Sequence, residues 1–328
     1  MEEKNIESVL LTGACGFIGH RVAAKLCEQG VNVVGIDSVN DAYDVRLKNF
    51  RLEGLKETPN FQWIQGDIED TELLDRVFSE NSFDAVLNLA ARAGVRYSME
   101  NPTVYLQTNA QGTLNLLERM EKNDIRKMVL ASTSSLYAGH PLPFTEEMPV
   151  NHPISSYAAS KKAAEALCHS FHHLYGMDIS IVRYFTVFGP AGRPDMCIFR
   201  FIKWIDEGAP IEIYGNGEQR RDFTFVDDIA RGTIAAMKPV GYEVMNLGGG
   251  MEPISLLDVI KMIEGHLGKK AEIEFQDAHI ADIFESRANI TKAKSILNWE
   301  PQVSFEEGLK RSVEWYLENR DWVKDVEL

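Results

Sequence analysis

The amino-acid sequence predicts an α/β protein, in which a doubly wound parallel sheet is joined to a smaller, discontinuous α/β domain. Three observations support this fold class. Short apolar segments alternate with segments of helical periodicity through the first half of the chain, which is typical of a parallel sheet with helices on both faces. The short segments are apolar at successive positions, as expected of central strands. A glycine-rich turn joins the first of them to a helical segment.

The individual elements follow in chain order from these patterns. Each predicted strand is a short apolar run bounded by polar or glycine residues, and each predicted helix has an apolar face. The predicted strands are residues 9–12, 31–37, 85–90, 128–132 and 179–184. The predicted helices of the same half are residues 17–29, 71–79, 103–121 and 156–175.

The pattern changes after residue 185. A segment rich in glycine and proline, residues 189–194, opens a region of shorter elements without a recognisable linker. The later elements are a return to the sheet domain at 224–238, a strand at 243–247 and helices at 255–265 and 305–319. We therefore expect two interleaved domains, a dinucleotide-binding domain of residues 1–185 plus 222–248 and a substrate domain of residues 186–221 plus 249–328.

Composition limits the classes of function. The chain of 328 residues has 34 Lys and Arg against 49 Asp and Glu, a formal net charge of −15, so no nucleic-acid partner is expected. No apolar run reaches the ~18–20 residues of a membrane span, and the charged N-terminal residues lack the pattern of a signal peptide. We expect no membrane partner and a cytoplasmic location. The cysteines have neither metal-binding nor disulfide spacing; they are Cys15, Cys27, Cys168 and Cys197.

The turn after the first predicted strand has the spacing GxxGxxG. Gly13 permits a tight turn, Gly16 lets the backbone approach a pyrophosphate, and Gly19 permits close packing of the next helix on the strand. The N–H groups at the start of that helix can bind phosphate. This context predicts a Rossmann-type, dinucleotide-binding domain.

Asp37 ends the second predicted strand, where a carboxylate can accept both hydroxyls of the adenosine ribose. Because that carboxylate would repel a 2′-phosphate, NAD is favoured over NADP. The alternative interpretation is a glycine-rich turn followed by a helix-capping aspartate. Cys15, inside the turn, is interpreted as a small packing residue rather than a redox group.

A second motif, Tyr157-x-x-x-Lys161, begins the predicted helix 156–175. Residues four apart lie on one helical face, and a nearby ammonium lowers the pKa of a phenol towards that of a useful base. Thr133 belongs to a hydroxyl cluster at the carboxyl end of a predicted strand, which is where ligands bind in such sheets. We expect Thr133 to pass a proton between a substrate hydroxyl and Tyr157.

Together these motifs resemble the extended short-chain dehydrogenase/reductase superfamily, and within it the NAD-dependent epimerase/dehydratase family, over nearly the whole chain. The resemblance implies that Tyr157 is the base, that Lys161 orients the nicotinamide ribose and that Thr133 completes the triad. It implies a tightly bound NAD that is regenerated in each turnover. The implied cofactor-binding residues are Gly13, Gly16, Phe17, Ile18, Gly19, Asp37, Lys48, Asp67, Ile68, Leu89, Ala90, Ala91, Asn109 and Tyr184.

Four segments resemble those of bacterial UDP-glucuronate 4-epimerases: residues 39–48, 91–98, 183–196 and 220–228. The most specific is the run Gly-Arg-Pro-Asp-Met at residues 192–196. The segment 279–283 departs from the family pattern because it lacks the usual Arg and Gly. The implied substrate-binding residues are Arg96, Ser134, Ser135, Thr186, Arg193, Met196, Arg221 and Asp282.

The implied reaction gives an independent reason for these residue types. Oxidation at C4 of a glucuronate creates a β-keto acid, which loses CO2 readily unless its carboxylate is held in place. Arg193 can supply a charge-assisted pair, and nearby hydroxyls can add hydrogen bonds. Because positions 134 and 135 carry hydroxyls rather than acids, the related 4,6-dehydratases and UDP-glucuronate decarboxylases are disfavoured.

We therefore expect an isomerase, an NAD-dependent C4 epimerase that interconverts UDP-glucuronate and UDP-galacturonate through a 4-keto intermediate. The alternatives are a 4-epimerase of UDP-hexoses or UDP-N-acetylhexosamines, a UDP-glucuronate decarboxylase, and an idle NAD-binding regulatory protein. No metal is expected, because no Asp, Glu or Cys in sequence completes a convincing ligand set with His169, His172 and His173. The surplus apolar positions of the predicted helices 103–121 and 156–175 predict a homodimer.

Overall fold

The structure, a computed structural model, describes residues 6–277 and 283–328. Its strands are β1 (Ser8–Thr12), β2 (Asn32–Asp37), β3 (Phe61–Gln65), β4 (Ala85–Asn88), β5 (Lys127–Thr133), β6 (Asp178–Tyr184), β7 (Thr186–Phe188), β8 (Ile211–Tyr214), β9 (Arg220–Arg221), β10 (Phe223–Phe225), β11 (Tyr242–Leu247), β12 (Ile254–Ser255) and β13 (Ile273–Gln276). Its α-helices are α1 (Phe17–Glu28), α2 (Val45–Lys56), α3 (Thr71–Glu80), α4 (Val95–Glu100), α5 (Pro102–Tyr105), α6 (Gly112–Lys122), α7 (Ser156–Tyr175), α8 (Cys197–Glu207), α9 (Val226–Ala235), α10 (Leu256–Leu267), α11 (Thr291–Leu297), α12 (Phe305–Glu318) and α13 (Arg320–Val323). A π-helix (Leu106–Gln111) and a 3-10 helix (Ser134–Tyr137) complete the helical segments of the described residues.

The central sheet contains seven strands in the order β3-β2-β1-β4-β5-β6-β11, and every pairing in it is parallel. The chain order reverses between β1 and β4. In open α/β sheets this reversal creates a crevice at the carboxyl ends of the strands, and ligands bind there. The arrangement confirms the predicted Rossmann-type fold class.

Helices cover both faces of this sheet. Along β1, Val9 and Leu11 belong to one core cluster and Leu10 to the other, because successive side chains of a strand alternate between faces. The first cluster is completed by α1, α9 and α11, and the second by α3, α6 and α7. Burial on both faces explains why the predicted strands are apolar throughout.

Three features of the first half differ from the sequence prediction. β3 was not predicted, because this edge strand is half-exposed and lacks an apolar run. α2 was not predicted, because its buried face includes Lys48 and Arg51, which obscure the amphipathic period. The prediction of a helix over 103–121 is confirmed in extent, since residues 102–122 are helical without a break, but the segment is not one regular α-helix. α5, the π-helix and α6 take its place, and a π-helical turn of this kind is common near functional sites.

A separate core lies between α8, α10 and α12, beside the parallel pair β8–β13 and the antiparallel pair β9–β12. Leu47 of α2 joins this core, so α2 contacts both regions of the molecule. α11 packs instead against the central sheet through Ala293 and Leu297. The exact division into two interleaved domains stays a prediction.

Within the described residues, none of the helices is long and apolar enough to cross a membrane.

Candidate active site

The turn between β1 and α1 has space only for glycine at three positions. Gly13 has a φ of +74°, and a Cβ there would lie 2.7 Å from the backbone N of Ala90. A Cβ at Gly16 would lie 2.9 Å from the carbonyl oxygen of Gly13, and a Cβ at Gly19 would overlap the same oxygen. The turn therefore packs directly on the chain that follows β4.

Phe17 and Ile18 begin α1 immediately after this turn. The N-cap residue is Gly16, and no side chain caps the helix. The N–H groups of the first helical turn are therefore not occupied by a capping side chain and suit the phosphates of a dinucleotide. A glycine backbone beside an uncapped helix start is the arrangement that a bound NAD requires.

Asp37 ends β2 beside the turn, and backbone groups hold its carboxylate. Its Oδ2 accepts the N–H of Cys15 at 3.0 Å and its Oδ1 accepts the N–H of Val39 at 2.8 Å. Each oxygen keeps a further lone pair for a ribose hydroxyl. Lys48 Nζ donates to the carbonyl oxygen of Asn40 at 2.6 Å and so holds the loop after β2. Burial raises the pKa of the Cys15 thiol, which fits its interpretation as a packing residue.

The other predicted cofactor residues of this half follow two neighbouring strands. Asp67 and Ile68 come after β3, and residues 89–91 come after β4. The Asp67 carboxylate accepts the N–H of Glu69 at 3.1 Å, while the Ile68 side chain is buried and packs on Gly112. The structure thus places all of them at the carboxyl edge of the sheet, on the same side as the glycine turn.

Two further predicted residues make their hydrogen bonds inside the protein. Asn109, in the π-helix, donates to Arg92 O at 2.9 Å and to Ser160 Oγ at 2.9 Å, and accepts the Arg92 N–H at 2.8 Å. It therefore joins the loop after β4 to α7. Tyr184 ends β6, and its hydroxyl forms a 2.8 Å hydrogen bond with the hydroxyl of Thr233 in α9.

The three predicted catalytic side chains meet at the carboxyl end of β5. Thr133 ends β5 and its side chain hydrogen-bonds the hydroxyl of Tyr157, which lies in the first turn of α7. Burial raises the pKa of Tyr157, although that hydrogen bond and the positive charge of Arg193 oppose the rise. Burial lowers the pKa of Lys161 to about 8, against the nearby charge of Glu165. The sequence predicted that Lys161 lowers the pKa of the phenol; in the structure the pKa is raised, and Arg193 is the cation that opposes the rise.

A row of hydroxyls continues from this group. Ser134 and Ser135 form the 3-10 turn after β5, and Thr133 caps it by accepting the Ser135 N–H at 3.1 Å. Thr133 also donates to Ser135 Oγ at 3.1 Å. Thr186, which begins β7, is partly exposed, as both serines are. The predicted sugar-binding hydroxyls therefore follow the carboxyl ends of two paired strands, β5 and β6.

Arg193 lies in the loop between β7 and α8 and forms a bidentate ion pair with Asp195. The Nε–Oδ1 distance is 3.0 Å and the Nη2–Oδ2 distance is 2.5 Å. Met196 is the N-cap residue of α8. A small cavity of about 20 Å³ is lined by Thr186, Arg193 and Met196, together with Trp315 of α12. The loop thus places Arg193 beside residues of the second core such as Trp315, and the charge of Arg193 acts on Tyr157.

Two other predicted arginines lie at the sides of the crevice. The guanidinium of Arg96 in α4 stacks on the ring of Tyr214 in β8, with 3.9 Å between the guanidinium carbon and the ring centroid. Arg221 in β9 donates to the carbonyl oxygen of Phe284 at 3.2 Å. Asp282, also predicted to bind substrate, lies outside the described residues.

Sequence reasoning missed two buried charged groups that hold the site together. Glu165 accepts from Arg183 at 2.8 and 2.7 Å and from Ser132 at 2.6 Å, all beneath the catalytic helix. Its position four residues after Lys161 was the available signal, because residues at that spacing share a helical face.

Arg51 of α2 is the second of these groups, and it is 2% exposed. Its guanidinium donates to the carbonyl oxygens of Cys15 and Ala191 at 3.1 and 2.8 Å. It therefore ties the glycine turn to the loop that carries Arg193. No local motif in the sequence announces this contact, since the three segments are far apart along the chain.

The histidines of α7 do not form a metal cluster with other residues. Within residues 6–277 and 283–328, no group of three or more His, Cys, Asp or Glu side chains could hold a metal ion. His172 Nδ1 lies 2.7 Å from the carbonyl oxygen of Met177, near the end of the helix. His169 and His173 are exposed on the same helix.

The fold and these side chains define the class of protein. A glycine turn, a carboxylate at the end of the second strand and a Thr–Tyr–Lys group on one edge of a parallel sheet are the parts expected of an enzyme that oxidises and reduces a hydroxyl carbon with a nicotinamide dinucleotide. Residues 9–248 match the model of the NAD dependent epimerase/dehydratase family. The chain belongs to that family.

Relatives cover the whole chain. UDP-glucuronate 4-epimerase from Thermodesulfobacterium geofontis is 56% identical over 319 residues, which are 97% of this chain and 99% of the relative. A tyrosine-to-phenylalanine variant of UDP-glucuronic acid 4-epimerase from Bacillus cereus, solved with UDP-4-deoxy-4-fluoro-glucuronic acid and NAD, has a TM-score of 0.89 and 36% identity, covering 95% of this chain and 99% of its own. UDP-glucose 4-epimerase from Thermotoga maritima, solved with UDP-glucose, has a TM-score of 0.87 and 32% identity with the same coverage. The fold alone therefore does not distinguish a hexuronate from a hexose.

Proposed function

We propose that this protein is an isomerase that interconverts UDP-glucuronate and UDP-galacturonate by epimerisation at C4, with NAD as its resident cofactor. The observation that carries the proposal is the position of Arg193, whose positive charge acts on the phenol of Tyr157. A sugar whose C4 hydroxyl reaches Tyr157 presents C6 nearby, because C6 is two carbons from C4. In a hexuronate C6 is a carboxylate, for which a guanidinium is the matching partner.

The catalytic residues then have defined tasks. Tyr157 takes the proton of the C4 hydroxyl, with Thr133 bridging, and C4 becomes a carbonyl. NAD, which the glycine turn and Asp37 would hold, would supply the hydride acceptor and hydride donor for C4, and inversion requires the keto sugar to present its other face before reduction. Lys161 orients the nicotinamide ribose, and Tyr157 gives its proton back to the C4 oxygen. Because the sugar ends at its original oxidation level, no external oxidant is consumed.

The 4-keto hexuronate is a β-keto acid, so the site must restrain its carboxylate. Arg193 supplies a two-pronged donor, and the hydroxyls of Ser134, Ser135 and Thr186 surround the same space. This set supports epimerisation over decarboxylation. It also disfavours UDP-hexoses and UDP-N-acetylhexosamines, because a neutral C6 group offers no negative charge to the guanidinium of Arg193. The intact Thr133–Tyr157 hydrogen bond disfavours an idle NAD-binding protein.

The remaining predicted contacts are part of the same proposal. Arg96 and Arg221 are assigned to the diphosphate of the sugar nucleotide and Met196 to the substrate side of the crevice. Asp282 is assigned to the uridine ribose. The glycine turn, Asp37 and the ends of β3 and β4 are assigned to NAD.

A homodimer that pairs α6 and α7 of two chains is also proposed. Leu174, near the end of α7, is 63% exposed, and Leu106, just before α6, is 49% exposed. Large apolar side chains on neighbouring helices favour an interface. Light scattering at micromolar concentration should give twice the monomer mass; a monomer mass would contradict this part of the proposal.

The direct test is proton NMR of the purified protein with UDP-glucuronate and no added NAD. Appearance of UDP-galacturonate would support both C4 epimerisation and a retained cofactor. If conversion requires added NAD, the epimerase proposal stands and tight retention is wrong. If neither condition gives conversion, while UDP-glucose or UDP-N-acetylglucosamine is epimerised, the hexuronate assignment is wrong.

A further inference from the structure

The proposed function does not explain the ion pair between Arg193 and Asp195 in the loop before α8. Asp195 occupies two donors of Arg193, Nε and Nη2, in a fork-to-fork arrangement. A hexuronate carboxylate would bind a guanidinium in this same geometry. Asp195 therefore occupies the Nε–Nη2 side of the Arg193 guanidinium, and a substrate carboxylate that binds through this side must displace it.

The charge of a second cation also acts on Asp195. Arg200 is the fourth residue of α8, and long side chains on a helix lean back over the turn that precedes them, which here is the turn next to Asp195. Burial disfavours ionisation of Asp195, but the charge and hydrogen bonds of Arg193, and then the charge of Arg200, lower its pKa. The two arginines thus act on one carboxylate.

Arg200 is incompletely paired. Its Nε is buried and has no hydrogen-bond partner among the described residues. The guanidinium stacks on the ring of Trp204, with its carbon 4.4 Å from the ring centroid. Burial lowers the pKa of Arg200, against the charges of Glu212 and Asp195. A buried donor without a hydrogen-bond partner costs free energy, so a hydrogen bond from Arg200 to a carboxylate would be stabilising.

We propose that Asp195 is an internal substitute for the substrate carboxylate, which leaves Arg193 for Arg200 when a UDP-hexuronate binds. This inference rests on the proposed function. Without substrate, Asp195 forms a bidentate ion pair with Arg193. Arg200 then keeps a buried Nε that has no hydrogen-bond partner among the described residues. The hexuronate carboxylate is the missing negative charge, and with it both arginines are paired. A UDP-hexose carries no such charge, so Asp195 stays on Arg193, and the exchange acts as a filter for hexuronates.

The exchange can be tested by calorimetric binding of UDP-glucuronate, UDP-glucose and UDP to the NAD-loaded protein. Arg200→Gln removes the destination of Asp195, so the Kd for UDP-glucuronate should rise about tenfold while the Kd for UDP-glucose changes less than about twofold. The double variant Asp195→Asn with Arg200→Gln should bring the Kd for UDP-glucuronate back to the wild-type value or below it, because Arg193 then has no competing carboxylate. Lys310→Gln, on the exposed face of α12, is the control and should leave every Kd unchanged.

Two results would overturn the inference. If Arg200→Gln weakens all three ligands equally, Arg200 is a general nucleotide contact. If the double variant binds UDP-glucuronate no better than Arg200→Gln alone, Asp195 does not compete with the substrate. Should Arg200→Gln fail to fold by circular dichroism, Arg200→Lys takes its place in the cycle, with a rise of about threefold and the same recovery in the double variant. Failure of the proposed function looks different, since wild-type protein would then bind UDP-glucuronate no more tightly than UDP-glucose.

Discussion

Two sides of the crevice are held by different kinds of contact: the proposed cofactor side, formed by the glycine turn and Asp37, and the proposed sugar side, formed by the Arg193 loop and Arg96. On the cofactor side, Asp37 is fixed by backbone N–H groups, and the adjoining glycine turn is shaped by backbone packing. On the sugar side, charged and aromatic side chains hold one another. Arg193 pairs with Asp195, and Arg96 stacks on Tyr214.

This difference indicates how each side would bind its ligand. A backbone-held site is already formed, so NAD would meet hydrogen-bonding groups in place. On the sugar side, side chains that already pair with each other must exchange partners, so a ligand is selected by how well it replaces the internal partner. Four experiments test this difference between the two sides, and the first concerns Tyr157, which both sides share.

Replacing Tyr157 by Phe should cause the largest loss of activity. Removal of the acid–base group should lower kcat by about 10²–10⁴-fold, while NAD stays bound because the turn and Asp37 are untouched. Turnover of UDP-glucuronate and the cofactor content of the purified variant measure the two effects. Tyr175→Phe, at the exposed end of the same helix, is the matched control, and a kcat within tenfold of wild type for Tyr157→Phe would contradict the assigned role.

Glu165→Gln should cause the largest loss of stability. Both side chains of the Glu165–Arg183 pair are 3% exposed, and removing one charge leaves the other buried without its partner. The free energy of unfolding should fall by about 3–5 kcal/mol, measured by urea denaturation. Glu118→Gln, a half-exposed glutamate of α6, should change it by less than about 0.5 kcal/mol. Equal effects of the two substitutions would show that the buried pair does not support α7.

Arg193→Lys tests whether the sugar side reads a carboxylate. The variant keeps the positive charge and loses the two-pronged donor, so kcat/KM for UDP-glucuronate should fall about 100-fold. A UDP-pentose formed by loss of CO2 should become detectable by NMR, since the keto acid is less restrained. kcat/KM for UDP-glucose serves as the internal control; a proportional loss for both substrates would remove Arg193 from specificity.

Asp222 gives the smallest and most condition-dependent effect. It lies on the sugar side but is held, like Asp37, by backbone donors: its Oδ2 accepts the N–H groups of Gly250 and Ala288 at 3.1 and 2.7 Å. Burial raises its pKa from 3.8 to about 6, although these N–H groups oppose the rise. The folded state therefore binds this proton more tightly than the unfolded state. Stability from this group is fully present below about pH 4 and is lost as the pH rises to about 6, by up to about 3 kcal/mol.

The measurement is the free energy of unfolding between pH 4 and pH 7 for wild type and Asp222→Asn. The free energy of unfolding of the wild type should fall relative to that of Asp222→Asn by up to about 3 kcal/mol as the pH rises through this window, because only the wild type carries the titrating carboxyl. Parallel curves would show that Asp222 titrates normally. That result would separate it from the other buried groups of the sugar side.

Prediction from the sequence succeeded where the signal was local. The glycine turn, Asp37 and the Tyr157–Lys161 spacing are short patterns whose geometry follows from one turn, one strand end or one helical face. It failed for β3 and α2. An edge strand is half-exposed, and a helix that buries Lys48 and Arg51 has no regular apolar period.

The sequence by itself determined the parallel sheet, the position of its dinucleotide turn and the identity of the proposed catalytic side chains. Each of these depends on residues that are neighbours in the chain. Only the tertiary structure decided which charges meet. Arg51 joins two segments that are 140 residues apart, and Arg193 lies close enough to Tyr157 to oppose the rise in its pKa. Charge–charge energies depend on distance and burial, and both are set by the packing of distant segments.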